Sequence, residues 1–202
     1  MKNNFKLLAL ATITAFTSNS ILAEELSYDY IDSSIIRYDL GTSTTNYDYD
    51  GYLLYGSKSL SKNIHLLGGY IDVEHSDGTL SFKSIGFGVN YPINKSTDVV
   101  IDYLHHTYEQ SYSRIGVSNT SGMVNSIEPE IRHQFSDDIE LNAGVIWRNF
   151  AGRAITYKGI SAGAIYKLNN NLSFKFRISK AKDSASNTVD WDGSEFGIRY
   201  HF

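Results

Sequence analysis

Long runs in which apolar and polar side chains alternate constrain this chain more than any other feature it carries. In Leu172-Ser173-Phe174-Lys175-Phe176-Arg177-Ile178-Ser179 every even position is apolar and every odd one polar or charged. Across residues 139–148, Ile139, Leu141, Ala143, Val145 and Trp147 likewise share one parity. Successive side chains of a strand point to opposite faces, so these runs read as long strands with one apolar face. No capped pattern of apolar residues at i, i+3, i+4 and i+7 competes with this. Beyond the start of the chain no apolar run approaches the roughly 18 residues of a membrane helix.

A polar residue followed by an alternating apolar pair recurs at Glu25-Leu26-x-Tyr28, Asn63-Ile64-x-Leu66, Asp98-Val99-x-Ile101, Asp138-Ile139-x-Leu141 and Asn171-Leu172-x-Phe174. Each interval closes alike, as in Gly88-Val89-Asn90-Tyr91-Pro92-Ile93 and Gly197-Ile198-Arg199-Tyr200-His201-Phe202. Five units of two strands predict ten strands, at 27–40, 46–60, 63–75, 80–93, 98–110, 122–135, 138–150, 155–168, 171–183 and 189–202; eight is the alternative count. Joints between units are short polar turns, while those inside units, such as 41–45 and 111–121, are mostly longer. Short turns at one end and larger loops at the other are the pattern of a transmembrane antiparallel up-and-down β-barrel of the outer membrane. Loop 111–121, rich in Ser, Asn and Gly, reads as mobile.

The closing motif fixes the register, because a slip of one residue exchanges the two faces. It places Ile85, Phe87, Val89, Tyr91 and Ile93 outward, with Ile160, Ala162, Ala164, Tyr166 and Leu168 on a second strand and Phe196, Ile198, Tyr200 and Phe202 on the last. The inward face then carries Glu128, Glu130, Arg132, Glu140, Arg148, Lys167, Lys175, Arg177, Glu195 and Arg199. So many charges cannot fill the dry core of a lipocalin-like soluble barrel, whereas a hydrated lumen can hold them as paired networks. Closure follows because an open edge in hydrocarbon leaves backbone groups unpaired. Tyr28, Tyr30, Tyr91, Tyr166, Tyr200 and Phe202 are expected to form one interfacial girdle. Some residues resist: Pro129 lacks a ladder donor and predicts a bulge or gap. Asp32 and Lys58 fall on the nominal lipid face, and Leu67 and Ile71 on the lumen face.

Ahead of the strands, Lys2 and Lys6 precede an apolar run from Leu7 to Phe16 and a polar stretch ending at Ala23, the three-part plan of a secretory signal peptide. Cleavage after Ala23 (or Ser20) would leave a mature barrel of residues 24–202, more acidic than the formal net charge of −4. The last residues become informative beside that signal. Gly197, Ile198, Tyr200 and the terminal Phe202 resemble the C-terminal assembly signal of Gram-negative outer-membrane proteins. The whole mature chain resembles the small single-domain Gram-negative outer-membrane β-barrel proteins. That resemblance implies recognition of the last strand by the barrel assembly machinery.

Function is less legible. The chain has no Cys, which excludes disulfides and thiolate metal sites, and its scattered Lys and Arg offer no basic patch for nucleic acid. The adjacent His105 and His106, with Asp102, Glu109 and Ser111 nearby, are the nearest thing to a hydrolase centre. Only one of two adjacent strand residues faces the lumen, however, and the His-to-Ser spacing does not match the compact His-x-Ser expected of a barrel lipase. The acids Asp39, Asp48 and Asp50, and Asp183, Asp190 and Asp192, suit hard cations but read as solvated strand ends. No cofactor, metal or catalytic set is assigned, and the protein is expected to be a monomer. Arg114, Arg153, Lys158, Lys180 and Lys182 stand at the outer rim, where lipopolysaccharide phosphates lie, and could pair with them. The preferred expectation is a non-enzymatic structural or surface-interaction barrel acting through its loops, the alternative a narrow porin-like channel. No segment is long enough to serve as a folded plug.

Overall fold

The computed structural model describes residues 26–41, 46–113, 118–152, 155–184 and 190–202. The expected signal peptide lies outside them. Ten strands form: β1 (Tyr30–Gly41), β2 (Asn46–Ser61), β3 (Ile64–His75), β4 (Gly78–Asn94), β5 (Thr97–Tyr112), β6 (Thr120–Gln134), β7 (Ile139–Phe150), β8 (Ile155–Lys167), β9 (Leu172–Asp183) and β10 (Asp190–His201). Each pairs antiparallel with its neighbours in sequence, and β1 pairs with β10 from Tyr30↔His201 to Gly41↔Asp190, closing the barrel. No strand edge is left to hydrocarbon.

Strand ends follow local chemistry. Asn94 and Asn169 cap the tight turns into β5 and β9, their side-chain oxygens accepting from the backbone N–H of Ser96 at 2.9 Å and of Asn171 and Leu172 at 3.0 Å. These turns lie at the end of the barrel that also holds both ends of the ladder, called the floor below. At the opposite mouth β3 and β4 are joined by Ser76 and Asp77 alone, a tighter joint than the sequence suggests, and β5 runs on to Tyr112. Both prolines sit at irregularities. The β4–β5 register shifts between Pro92 and Asn94. The β6–β7 ladder breaks around Pro129, between Ile127↔Trp147 and Glu130↔Gly144, with no change of register.

The faces are those of an inside-out barrel. Ile85, Phe87, Val89, Tyr91 and Ile93 of β4 are exposed, as are Tyr166, Leu168, Phe196, Ile198, Tyr200 and Phe202. Ile35 and Ile85 each keep 68% of their surface and Tyr91 keeps 73%. A continuous apolar belt of this kind would be untenable in water, and hydrocarbon is the solvent that suits it. Lys58 faces out and Leu67 and Ile71 face in, as the pattern of β2 and β3 requires.

Strand β1 departs from expectation. Asp32 is fully buried in the lumen instead of facing lipid, and Tyr28 and Tyr30 lie inside the barrel at 7% and 9% exposure instead of joining the girdle. The register of β1 is therefore one residue from that expected, with Ile31 and Ile35 outward. The reason is electrostatic: an aspartate in hydrocarbon is costly, whereas inside it meets two cations.

Candidate functional site in the barrel lumen

Three tiers fill the lumen. The lowest is a floor made by the chain itself. Residues 26–29 run from β1 across the bottom of the barrel toward β5, β6 and β7, on the far wall. The Ser27 carbonyl accepts from both terminal nitrogens of Arg132 at 3.2 and 3.3 Å. Tyr28 donates its hydroxyl to Asp98 Oδ2 at 2.7 Å, stacks on His65 with centroids 4.7 Å apart, and lies under the Arg132 guanidinium at 4.6 Å. Arg132 grips both oxygens of Glu140, at 2.7 and 2.9 Å. His65, Arg132 and Glu140 are all buried. Four residues, too few for a folded plug, thus cross the lumen by side-chain and carbonyl contacts with the far wall. At the rim Asp29 anchors it, accepting from the Ser59 N–H at 2.6 Å and from Lys58 at 3.2 Å.

Above the floor sits a chamber of about 150 Å³ walled by charge. Asp32 on β1 takes Arg199 of β10 at 2.7 and 2.9 Å and Lys175 of β9 at 2.8 Å. Lys175 also meets Glu195 at 2.8 Å, and Arg199 lies 3.5 Å over the Tyr30 ring. A second group joins Glu128 to Arg148 at 2.9 Å and Arg177 to Glu130 at 3.6 Å, with Arg177 donating to the Ser161 hydroxyl at 2.9 Å. Nine of the ten charges read from sequence thus meet in these networks and in the Arg132–Glu140 pair; Lys167 lies at the floor end of β8. Asp32 and Asp102 are lumen acids that the sequence reading missed.

The candidate hydrolase residues do not assemble. His106 is buried between the hydroxyls of Ser84 at 2.6 Å and Ser126 at 2.9 Å, so both its ring nitrogens are engaged. Asp102 pairs instead with His65 at 3.0 Å, and His105 reaches Asn125 on the other face. Among the described residues no group of three or more His, Asp or Glu is placed to hold a metal. Among the six rim acids, Asp50 pairs with Arg37, Asp192 with Lys180 and Asp190 with Lys182, while Asp39 and Asp48 face each other across β1 and β2. Of the rim cations considered for lipopolysaccharide, Lys180 and Lys182 are held by those acids, and Lys158 lies 5.6 Å from the Trp147 ring centre. Arg114 and Arg153 lie outside the described residues.

The third tier is apolar and was not anticipated. Six inward rings form a chain around most of the wall: Tyr38 to Trp191 at 5.0 Å, Trp191 to Tyr157 at 6.0 Å, Tyr157 to Phe150 at 5.6 Å, Phe150 to Tyr108 at 5.7 Å and Tyr108 to Phe82 at 6.0 Å. The signal that could have found this collar is a cross-strand pairing of tyrosine with glycine. Tyr38 opposes Gly193 and Tyr108 opposes Gly122. A Cβ on Gly122 would stand 2.7 Å from the Tyr108 ring, and one on Gly193 2.9 Å from that of Tyr38, so only glycine lets these rings lie back against the wall.

This closed barrel is similar to the translocator domain of the autotransporter NalP from Neisseria meningitidis, with a TM-score of 0.52 and 10% identity over 100% of this chain and 96% of that one. The likeness is one of fold. Neisserial surface protein A (NspA) aligns with a TM-score of 0.48 at 11% identity, over 87% of this chain and 98% of that one. Ail, the attachment invasion locus protein of Yersinia pestis, aligns with a TM-score of 0.42 at 14% identity, over 87% and 100%. No protein-family model and no curated protein matches the sequence.

Two outcomes follow from the floor and the chamber. Asp32→Asn leaves Lys175 and Arg199 short of a buried countercharge, and is expected to cost on the order of 3 kcal/mol in urea unfolding of the lipid-reconstituted barrel. Hydrogen bonds from the Ser59 N–H and from Lys58 hold the Asp29 carboxyl below its ordinary value of 3.8. Its anchoring is therefore complete above about pH 4 and is lost as pH falls through the lowered value. The difference in urea midpoint between wild type and Asp29→Asn should be constant at neutral pH and shrink in acid below that range.

Proposed function

We propose that this protein is an outer-membrane β-barrel whose lumen is shut, and which acts as a structural or surface-interaction protein through its outer rim and loops. The observation that carries this reading is the floor: residues 26–29 lie across the lumen and are tied to Arg132 and Asp98 on the far wall. A conducting pore would have to break these buried contacts. The apolar outward belt, the fold, and the signal-like start of the sequence support placement in the outer membrane. The charged chamber favours a second reading, a narrow channel opened by withdrawal of the floor.

Ion conductance in planar bilayers separates the two readings, once a heat-dependent shift in gel mobility confirms folding. The wild-type barrel should be silent, and a barrel refolded without residues 1–29 should give steady, salt-dependent steps. Steps from the wild type would establish the channel instead.

We further propose that the assembly machinery recognises Gly197, Ile198, Tyr200 and Phe202. The outward side chains of the last three form a ridge on β10, and the Phe202 N–H donates to the Asp29 carbonyl at 3.3 Å. Deleting Phe202 should reduce the folded, heat-modifiable fraction in cells while leaving refolding from urea into detergent intact. Normal cellular assembly would refute the assignment.

A further inference from the structure

The aromatic collar is hollow. Because Tyr38 and Tyr108 lie back over glycines, and because Ser179 and Ala181 present little bulk, a cavity of about 50 Å³ remains among the rings. It meets the charged chamber below, since Ile71, His106, Ile146 and Arg148 line both spaces. Among the described residues, Arg148 is the one charged side chain lining the collar cavity. Its engagement is looser than that of Arg132 and Arg199; Arg177, 28% exposed, is comparably open but does not line the collar cavity. Arg132 and Arg199 each hold both oxygens of a carboxylate and are 5% exposed. Arg148 directs Nε and Nη2 to a single oxygen of Glu128, at 3.2 and 2.9 Å, and keeps 31% of its side chain accessible. A guanidinium has five N–H donors in a planar fork, so Arg148 retains capacity for a second carboxylate.

We propose that the collar and Arg148 form a binding site for a small aromatic carboxylate, a single ring carrying one anionic group. Ring edges and faces in the wall suit another ring by offset or edge-to-face contact better than a flexible chain. An apolar cavity of about 150 Å³ accepts benzene, so a ligand ring must extend from the collar into the adjoining chamber, which sets its carboxylate at the level of Arg148. His106, with both ring nitrogens hydrogen-bonded to serine hydroxyls, forms part of the wall. The site does not depend on whether the lumen conducts.

Tryptophan emission reads this directly. The sequence has two tryptophans, Trp147 facing outward and Trp191 in the collar, so Trp147→Phe leaves only the collar reporter. Titrating that refolded barrel in detergent with benzoate should give a saturable change in Trp191 emission, and benzyl alcohol should bind at least about tenfold more weakly, the loss expected for one charge-assisted pair. Adding Arg148→Gln should weaken benzoate by a similar factor. Adding Ala181→Leu, which fills the collar and leaves Arg148 untouched, should abolish the change. A linear response matching that of a tryptophan derivative in the same micelles means partitioning and overturns the proposal. Equal affinity for benzoate and benzyl alcohol, or full binding by the Ala181→Leu barrel, overturns it as well. Should Arg148→Gln fail to give a gel shift, the comparison of the two probes on the unaltered lumen decides.

Discussion

Every backbone N–H and C=O that faces hydrocarbon must find a partner within the sheet, and from this constraint the rest of the structure follows. It forces β1 to meet β10, the two strands farthest apart in sequence. The seam between them is fastened on the lumen side as well as along the ladder. Asp32 and Arg199 are direct register partners across it, and Lys175 reaches the same carboxylate from the next strand. Breaking one partner of such a buried group is far more costly than the pair is worth relative to apolar residues. A closure that separated Asp32 from Arg199 and Lys175 would leave these ions buried without partners, so the native β1–β10 pairing is the one that satisfies them.

The lumen repeats that logic at three heights with different chemistry. At the floor, a short segment brings one aromatic ring and one carbonyl onto the buried Arg132–Glu140 pair. In the middle, acids and bases from β1, β6, β7, β9 and β10 neutralise one another in a space large enough for water. Near the outer mouth rings take over. This order keeps charge in the hydrated chamber and gives the collar a low-dielectric wall, where a single accessible guanidinium counts for more than it would at the surface.

Strand number, most strand bounds and the two faces of β4, β8, β9 and β10 were legible in the sequence, because period-two patterning is a local property and most positions of these strands follow it, with Phe82, Ile165 and Trp191 among the inward exceptions. Strand β1 was misread because its apolar residues occur on both parities: Tyr28, Tyr30 and Ile36 on one, Ile31 and Ile35 on the other. What decides between them is a salt bridge to Lys175 and Arg199, more than 140 residues away, which no local window contains. The collar escaped notice for a related reason. Inward aromatics look like misplaced lipid-facing ones until the glycines opposite Tyr38 and Tyr108 are known, and that requires the register. The floor segment escaped notice because the residues that hold it, Asp98 and Arg132, are 70 and 105 residues away in sequence. The charged network was readable as a set, since charges cannot face lipid, but its individual pairings were not.

The floor segment is continuous with β1, and β1 finds its last neighbour only in β10. Tyr28 reaches Asp98 and Arg132 only once the sheet has curved far enough to bring β5 and β6 round to face β1. The same curvature brings β10 to its last neighbour. Settling of the segment and closure of the seam are thereby coupled through one strand, whose first residues measure the bend of the whole sheet.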